Sequence, residues 1–70
     1  MAFEAPPRRL SPRELAVLQR LVAGDSYKQA ANELALSVDT VRGYIKSLYR
    51  KLGVHNVAGA VARAFRERLL

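Results

Sequence analysis

Residues 37–53 read SVDTVRGYIKSLYRKLG, and their pattern predicts one helix with two unlike faces. Apolar residues recur at steps of three and four and therefore share one side; they are Val38, Val41, Ile45, Leu48 and Leu52. Basic residues recur at steps of four on another side, at Arg42, Lys46 and Arg50. A helix that is apolar on one side and basic on the other is suited to a DNA major groove. The same pattern also fits an amphipathic surface helix whose charges are solvated.

The charge of the chain favours a polyanionic partner. Its 70 residues include 12 basic and 6 acidic side chains, which give a net charge of +6 and a pI near 10.6. Such an excess of positive charge is typical of domains that bind nucleic acid, although it also fits a soluble basic domain without that partner. A chain of this size is only marginally stabilised by a single core, so a partner subunit is expected to add stability.

Several classes of function lack the residues that they need. The chain has no cysteine and a single histidine, His55, so no disulfide, metal site or cofactor is expected. Paired carboxylates, a nucleophile–base set and a phosphate-binding glycine loop are all missing from the sequence, which argues against an enzyme. No apolar stretch approaches the ~20 residues that span a bilayer, and residues 1–9 lack the apolar segment of a signal peptide. A cytoplasmic, nucleoid-associated protein without a membrane partner is expected.

The chain is predicted to hold one domain, residues 10–70, preceded by a short tail. Residues 1–9 contain the run Pro6-Pro-Arg-Arg9, which favours a disordered tail or the remnant of an interdomain linker. The prolines suit a linker, whereas Met1 suits a natural start. Both interpretations stay open, and with them the choice between a stand-alone protein and a fragment of a longer one.

Capping residues locate the first two helices. The run Ser11-Pro-Arg-Glu14 predicts a capping box, and the helix that follows is expected to end at about Ala23. The run Ser26-Tyr-Lys-Gln29 repeats this pattern and predicts a short helix that ends near Ala35. Because so few residues separate it from the helix over 38–52, the two are expected to form a helix-turn-helix.

A fourth helix is predicted to start after Asn56 and to run towards Leu70. It carries one apolar stripe of Ala58, Val61, Ala62, Phe65 and Leu69, and a second strip of Val57, Ala60 and Ala64. With two apolar strips, this helix can face the core and a partner at the same time. Every periodic segment is helical, so the predicted fold class is all-α with four helices.

The positions of these residues also resemble a known family, the LuxR-type helix-turn-helix domain. This is the effector domain of NarL/FixJ response regulators and of the small regulator GerE. The resemblance covers residues 10 to about 66 and rests on Leu10-Ser-Pro-Arg-Glu14, Val17-Leu18, Gly24, Lys28, Ala31, Leu34, Ser37, Thr40-Val41-Arg42 and Lys51-Leu52-Gly53-Val54. It implies a four-helix domain that binds double-stranded DNA as a homodimer, at an inverted repeat. The third helix would enter the major groove and the fourth would pair the subunits.

The resemblance also implies roles for individual residues. Base edges would be contacted by Arg42, Gly43 and Lys46. Phosphates would be approached by Lys28, Ser37, Thr40, Tyr44 and Lys51. Arg50, on the basic side of the same helix, is also expected to act as a point charge near the DNA backbone. The dimer contact is expected at Ala58, Val61, Ala62 and Phe65. RNA polymerase is a further candidate partner.

Two of these positions leave a choice open. Gly43 stands where the family commonly has an apolar or longer side chain, and a glycine within a helix costs roughly 1 kcal/mol relative to alanine. It either permits a close approach to a base or has lost a contact. Lys46 reaches either a base or a phosphate. Arg42 is expected to read a base, because a guanidinium bonds guanine O6 and N7 together.

Two other functions compete with a dimeric transcription regulator. Region four of a sigma factor shares the Arg-Glu opening and a similar helix-turn-helix, but the apolar stripe of the fourth helix and the Lys-Leu-Gly-Val run argue against it. A helical protein-interaction or dimerisation module, without specific DNA readout, would use the positive charge for solubility alone.

Overall fold

The computed structural model describes residues 9–70, which form four α-helices and no strand in that range. They are α1 (Pro12–Val22), α2 (Tyr27–Leu34), α3 (Val38–Leu52) and α4 (Val57–Arg66). The predicted all-α class with four helices is therefore confirmed. The tail or linker predicted for residues 1–9 lies outside the described residues, except for Arg9.

Both predicted capping boxes are present. The Ser11 hydroxyl accepts a hydrogen bond from the Glu14 backbone N–H at 3.1 Å, and a Glu14 carboxylate oxygen accepts from the Ser11 N–H at 2.8 Å. Ser26 and Gln29 make the same reciprocal pair at 3.1 and 2.7 Å. Each box satisfies backbone donors that the first turn of a helix leaves free.

The helix α4 begins after its predicted cap, Asn56, and α3 begins after Ser37, which caps it in the same way. The Ser37 hydroxyl accepts from the Thr40 backbone N–H at 3.0 Å, and the Asn56 side-chain oxygen accepts from the Gly59 N–H at 2.7 Å. The helix α3 ends at Gly53, whose φ of 68° lies in the left-handed region that glycine adopts without a steric penalty.

The helices α1 and α3 are central to the core, because each packs against all three of the other helices. The core consists of Val17, Leu18 and Leu21 of α1, Ala30 and Ala31 of α2, Val41, Ile45, Leu48 and Leu52 of α3, and Ala60 and Ala64 of α4. Small alanines on α2 and α4 let those backbones lie close to their neighbours. Between α2 and α3 the chain turns at Ala35, which adopts a left-handed conformation with φ 57°.

The fourth helix is shorter than its pattern predicts. It was expected to run towards Leu70 but ends at Arg66. Arg68 takes a φ of 53°, and the backbone N–H of Leu69 donates to the Ala64 carbonyl at 2.9 Å. This reversal brings Leu69 back against the core. Leu69 is half-buried there, and its burial offsets the cost of a left-handed arginine, about 1–3 kcal/mol, at least in part.

Ala60 and Ala64 turn towards the core, whereas Val57, predicted on the same strip, is 37% exposed. Ala58, Ala62 and Phe65 are exposed. Across residues 9–70, no helix has the length and apolar character required to cross a membrane.

Candidate nucleic-acid interface

The basic stripe of α3 faces away from the core. Val41, Ile45 and Leu48 on the opposite side are at most 3% exposed, whereas Arg42, Lys46 and Arg50 are exposed. The packing of one side therefore determines where the other side points. We name the surface formed by Arg42, Gly43, Lys46 and Arg50 the basic face of α3.

Arg42 is held only loosely. Its guanidinium lies 3.8 Å from the Asp39 carboxylate one turn earlier, and the two side chains are 61% and 94% exposed. An ion pair this exposed is worth little, about 0–1 kcal/mol, so Arg42 remains available to a ligand. The spacing of three residues between Asp39 and Arg42 is the sequence signal that could have indicated the pair.

Gly43 lies on the basic face between Arg42 and Lys46 and is exposed. A Cβ atom placed on it would have no heavy atom of the described residues within 4 Å, apart from its chain neighbours and the backbone of its own helix. The fold therefore leaves open space at this position.

The predicted phosphate contacts near the start of α3 are exposed, and two of them bond each other. The Ser37 hydroxyl donates to the Thr40 hydroxyl oxygen at 2.8 Å. Its hydrogen is thus committed to the cap, while the Thr40 hydroxyl keeps its own hydrogen for another acceptor. Lys28 is exposed on α2, and Tyr44 is half-buried against the core.

Lys51 has an internal partner that sequence reasoning missed. Its ammonium group lies 2.8 Å from a carboxylate oxygen of Glu14 and 3.4 Å from the Arg9 carbonyl oxygen. Glu14 is only 3% exposed and also accepts a hydrogen bond from the Ser47 hydroxyl. Lys51 therefore fastens α3 to α1. Its contact with a phosphate stays a prediction.

The environment of Glu14 favours the charged carboxylate. Burial by itself raises the pKa of Glu14, but hydrogen bonds from Lys51, the Ser11 backbone and Ser47, together with the charge of Lys51, outweigh burial. Their combined effect lowers the pKa from 4.5 to about 2. The carboxylate is therefore ionised in the folded chain at any pH near neutrality.

The contribution of Glu14 to stability is expected to disappear in acid. Its pKa is lower in the folded chain, at about 2, than its ordinary value of 4.5. This contribution is therefore complete above about pH 5 and is lost progressively as the pH falls towards about 2. Urea denaturation between about pH 6 and pH 3 should show the difference in unfolding free energy between the chain and Glu14→Gln shrinking with falling pH. A difference that stays constant over this range would contradict the assignment.

The predicted dimer contact forms an apolar patch on α4. Ala58 and Ala62 are exposed, Val61 is half-buried, and the Phe65 side chain is 64% exposed. A phenylalanine this exposed has lost little contact with water and is typical of an interface residue. Nearby, Arg63 and Glu67 form an exposed ion pair at 2.9 Å.

Comparison with known proteins agrees with this geometry. Residues 8–64 match the family described as GerE, bacterial regulatory proteins, luxR family. The protein named probable transcriptional regulatory protein NarL of Mycobacterium tuberculosis is 48% identical over 61 residues, which are 87% of this chain and 28% of that protein. The nitrate/nitrite response regulator protein homolog of Haemophilus influenzae is 39% identical over 62 residues, 89% of this chain and 30% of that protein.

A solved structure shows the same arrangement of helices. The crystal structure of the response regulator ChrA from a heme-sensing two-component system superposes with a TM-score of 0.89 at 39% identity, over 94% of this chain and 33% of that chain. The predicted resemblance to LuxR-type domains is confirmed. The chain spans about 28 to 33% of the length of these proteins.

Proposed function

The chain belongs to the luxR family of bacterial regulatory proteins, and we propose that α3 is the helix with which this DNA-binding domain reads the major groove. The observation that carries the proposal is the orientation of α3, whose apolar side is buried in the core while Arg42, Lys46 and Arg50 project outwards. An α-helix fits the width of the major groove, and cations on its exposed side complement the charge of the phosphates along the groove walls.

Three residues of the basic face are assigned to the bases. Arg42, near the start of α3, is placed to bond guanine O6 and N7, a contact worth about 1–3 kcal/mol of discrimination. Lys46 lies one turn further along and donates to a base acceptor. Gly43, between them, contributes no side chain and allows the helix to lie closer to the base edges.

The remaining polar residues are assigned to the DNA backbone. They are Lys28, Ser37, Thr40, Tyr44, Arg50 and Lys51. At the start of α3 the Thr40 hydroxyl has a hydrogen to donate, and the positive end of the helix dipole favours a phosphate there. These contacts fix the position of α3 on the duplex but carry little sequence information.

The apolar patch on α4 is assigned to a second copy of the domain. Pairing through Ala58, Val61, Ala62 and Phe65 would relate two α3 helices by a two-fold axis. A symmetric dimer calls for an inverted repeat, with half-sites spaced by about one turn of DNA or a multiple of it.

The whole protein is proposed to be a transcription regulator that acts in the bacterial cytoplasm on the nucleoid. Its relatives are named as transcriptional regulators and response regulators. RNA polymerase is the proposed further partner, because a regulator bound beside a promoter can contact it. The proposed action is binding alone, without catalysis.

A variant of the basic face tests this proposal. Replacing Arg42 and Lys46 together by alanine is expected to weaken binding to a selected duplex by about 100-fold, since two base contacts are lost. The melting temperature should change little, because both side chains are exposed. Fluorescence anisotropy at fixed salt measures the affinity, with a duplex first enriched from a random library by the unaltered protein.

A charge-matched control separates base readout from simple attraction. Arg13→Ala with Arg66→Ala removes the same charge from exposed positions outside the basic face. If both double variants weaken binding equally, the cations act only as general charge and the protein-interaction module is favoured. Enrichment of an inverted repeat by the isolated protein supports the regulator over the sigma-factor alternative, because a promoter-binding region of that type depends on polymerase.

A further inference from the structure

The fold accounts for three of the four glycines. Gly24 and Gly53 have φ values of +93° and +68°, which a side chain rarely adopts. A Cβ on Gly59 would lie 3.2 Å from both the Asn56 side-chain oxygen and the Val54 Cβ, closer than side-chain atoms usually pack. In each case a backbone conformation or a tight contact explains the absence of a side chain.

Gly43 has no such explanation. It lies inside α3 with helical backbone, and a Cβ there would meet only open space among the described residues. Alanine at this position would stabilise the helix. A residue that breaks a local rule without an internal reason is expected at a functional site. The reason for this glycine must then lie outside the described domain, in what approaches its surface.

The surroundings of Gly43 define the shape and chemistry of this surface. Arg42 and Lys46 flank it on the basic face, so the missing side chain leaves a notch about one methyl group deep between two long cations. The floor of the notch offers no hydrogen bond, because backbone N–H and C=O groups within a helix are already paired. A group that fills the notch must therefore be small and apolar.

Taking α3 as the reading helix, as proposed above, we propose that this notch receives the C5-methyl group of a thymine, which makes Gly43 a specificity-determining residue. Among the four bases, thymine alone presents a methyl group in the major groove. The methyl projects towards the protein, and a side chain at position 43 would occupy its place. Arg42 and Lys46 then bond acceptors on the neighbouring bases.

Deleting single methyl groups from the DNA tests the proposal directly. Each thymine of the selected duplex is replaced in turn by deoxyuridine, which lacks only the C5-methyl. At one position in each half-site, this replacement is expected to weaken binding by about fourfold, which corresponds to the free energy of burying one methyl-sized group. If no thymine in the site shows this loss, the notch does not receive a methyl group and the proposal is wrong.

The variant Gly43→Ala gives the reciprocal result. Its methyl would compete for the notch, so the variant is expected to bind the thymine duplex about tenfold more weakly. The variant should recover part of that affinity on the deoxyuridine duplex, where the competing methyl is absent. It is therefore expected to bind deoxyuridine more tightly than thymine, whereas the unaltered protein prefers thymine. Unchanged affinity, or an unchanged preference for thymine, would overturn the proposal.

Two controls make each failure identifiable. The folding equilibrium constant of Gly43→Ala should rise by about fivefold, so that weaker binding by this variant cannot come from unfolding. If the folding equilibrium constant falls instead, the fold itself needs this glycine and the argument is overturned.

Lys46→Ala serves as the reference for DNA binding by α3. If Lys46→Ala weakens binding while the methyl scan is flat, only the notch proposal fails. If neither Lys46→Ala nor any deoxyuridine replacement weakens binding, α3 does not read the DNA and the proposed function fails as well.

Discussion

Replacing Glu14 by alanine is expected to lower the free energy of unfolding by about 3 kcal/mol, because a part-buried ion pair is broken together with two further hydrogen bonds to the same carboxylate. Glu14 is 3% exposed, and its carboxylate accepts hydrogen bonds from Lys51, Ser47 and the Ser11 backbone. Its removal leaves the ammonium group of Lys51, whose side chain is 27% exposed, without this partner. A domain of this size has little stability to spare, so the variant should be partly unfolded at room temperature. Urea denaturation followed by circular dichroism measures the effect.

The neighbouring Arg13→Ala is a matched control, because Arg13 lies on the same helix turn but is exposed. It should change the unfolding free energy by less than about 0.5 kcal/mol. The double variant Glu14→Ala with Lys51→Met should be more stable than Glu14→Ala alone, because no unpaired ammonium remains. A loss below about 1 kcal/mol for Glu14→Ala would show that this pair does not hold α1 and α3 together.

Phe65→Glu is expected to weaken binding to an inverted repeat by about 100-fold while leaving binding to a single half-site nearly unchanged. Pairing two domains makes the second half-site contact intramolecular, and such linkage raises affinity by about 10²–10⁴. A glutamate in the apolar patch on α4 would bury a charge at the proposed subunit interface and bring like charges from the two copies towards each other. The fold should be retained, because the Phe65 side chain is already 64% exposed.

Sedimentation of the protein with duplexes of one and two half-sites measures this effect. Ala23→Glu introduces the same charge at an exposed position next to α1, and it should leave the preference for two half-sites intact. If Phe65→Glu binds the inverted repeat as the unaltered chain does, the subunits do not pair through α4.

The helix starts could be predicted because each depends on residues close together in the sequence. Ser11, Ser26, Ser37 and Asn56 each bond a backbone N–H three residues on. The apolar spacing of α3 correctly predicted which side enters the core. Local chemistry was sufficient for these features.

Contacts between distant residues could not be predicted in the same way. Glu14 and Lys51 are 37 positions apart, so sequence reasoning assigned the first to a cap and the second to a phosphate. The end of α4 was predicted wrongly because an arginine, not a glycine, adopts the left-handed turn at Arg68. Gly43 is the reverse case. The family resemblance assigned it to the bases, but only the empty space around its backbone showed that the fold does not require it.

Within the described part of the chain, α2 and α4 do not touch each other, and both pack on α1 and α3. The surface assigned to the second subunit lies on α4, which contacts α3 directly, so the two proposed surfaces share that contact and the interior beneath it. Substitutions at exposed positions of either helix leave this shared packing in place, whereas a substitution in the core is expected to disturb both surfaces together.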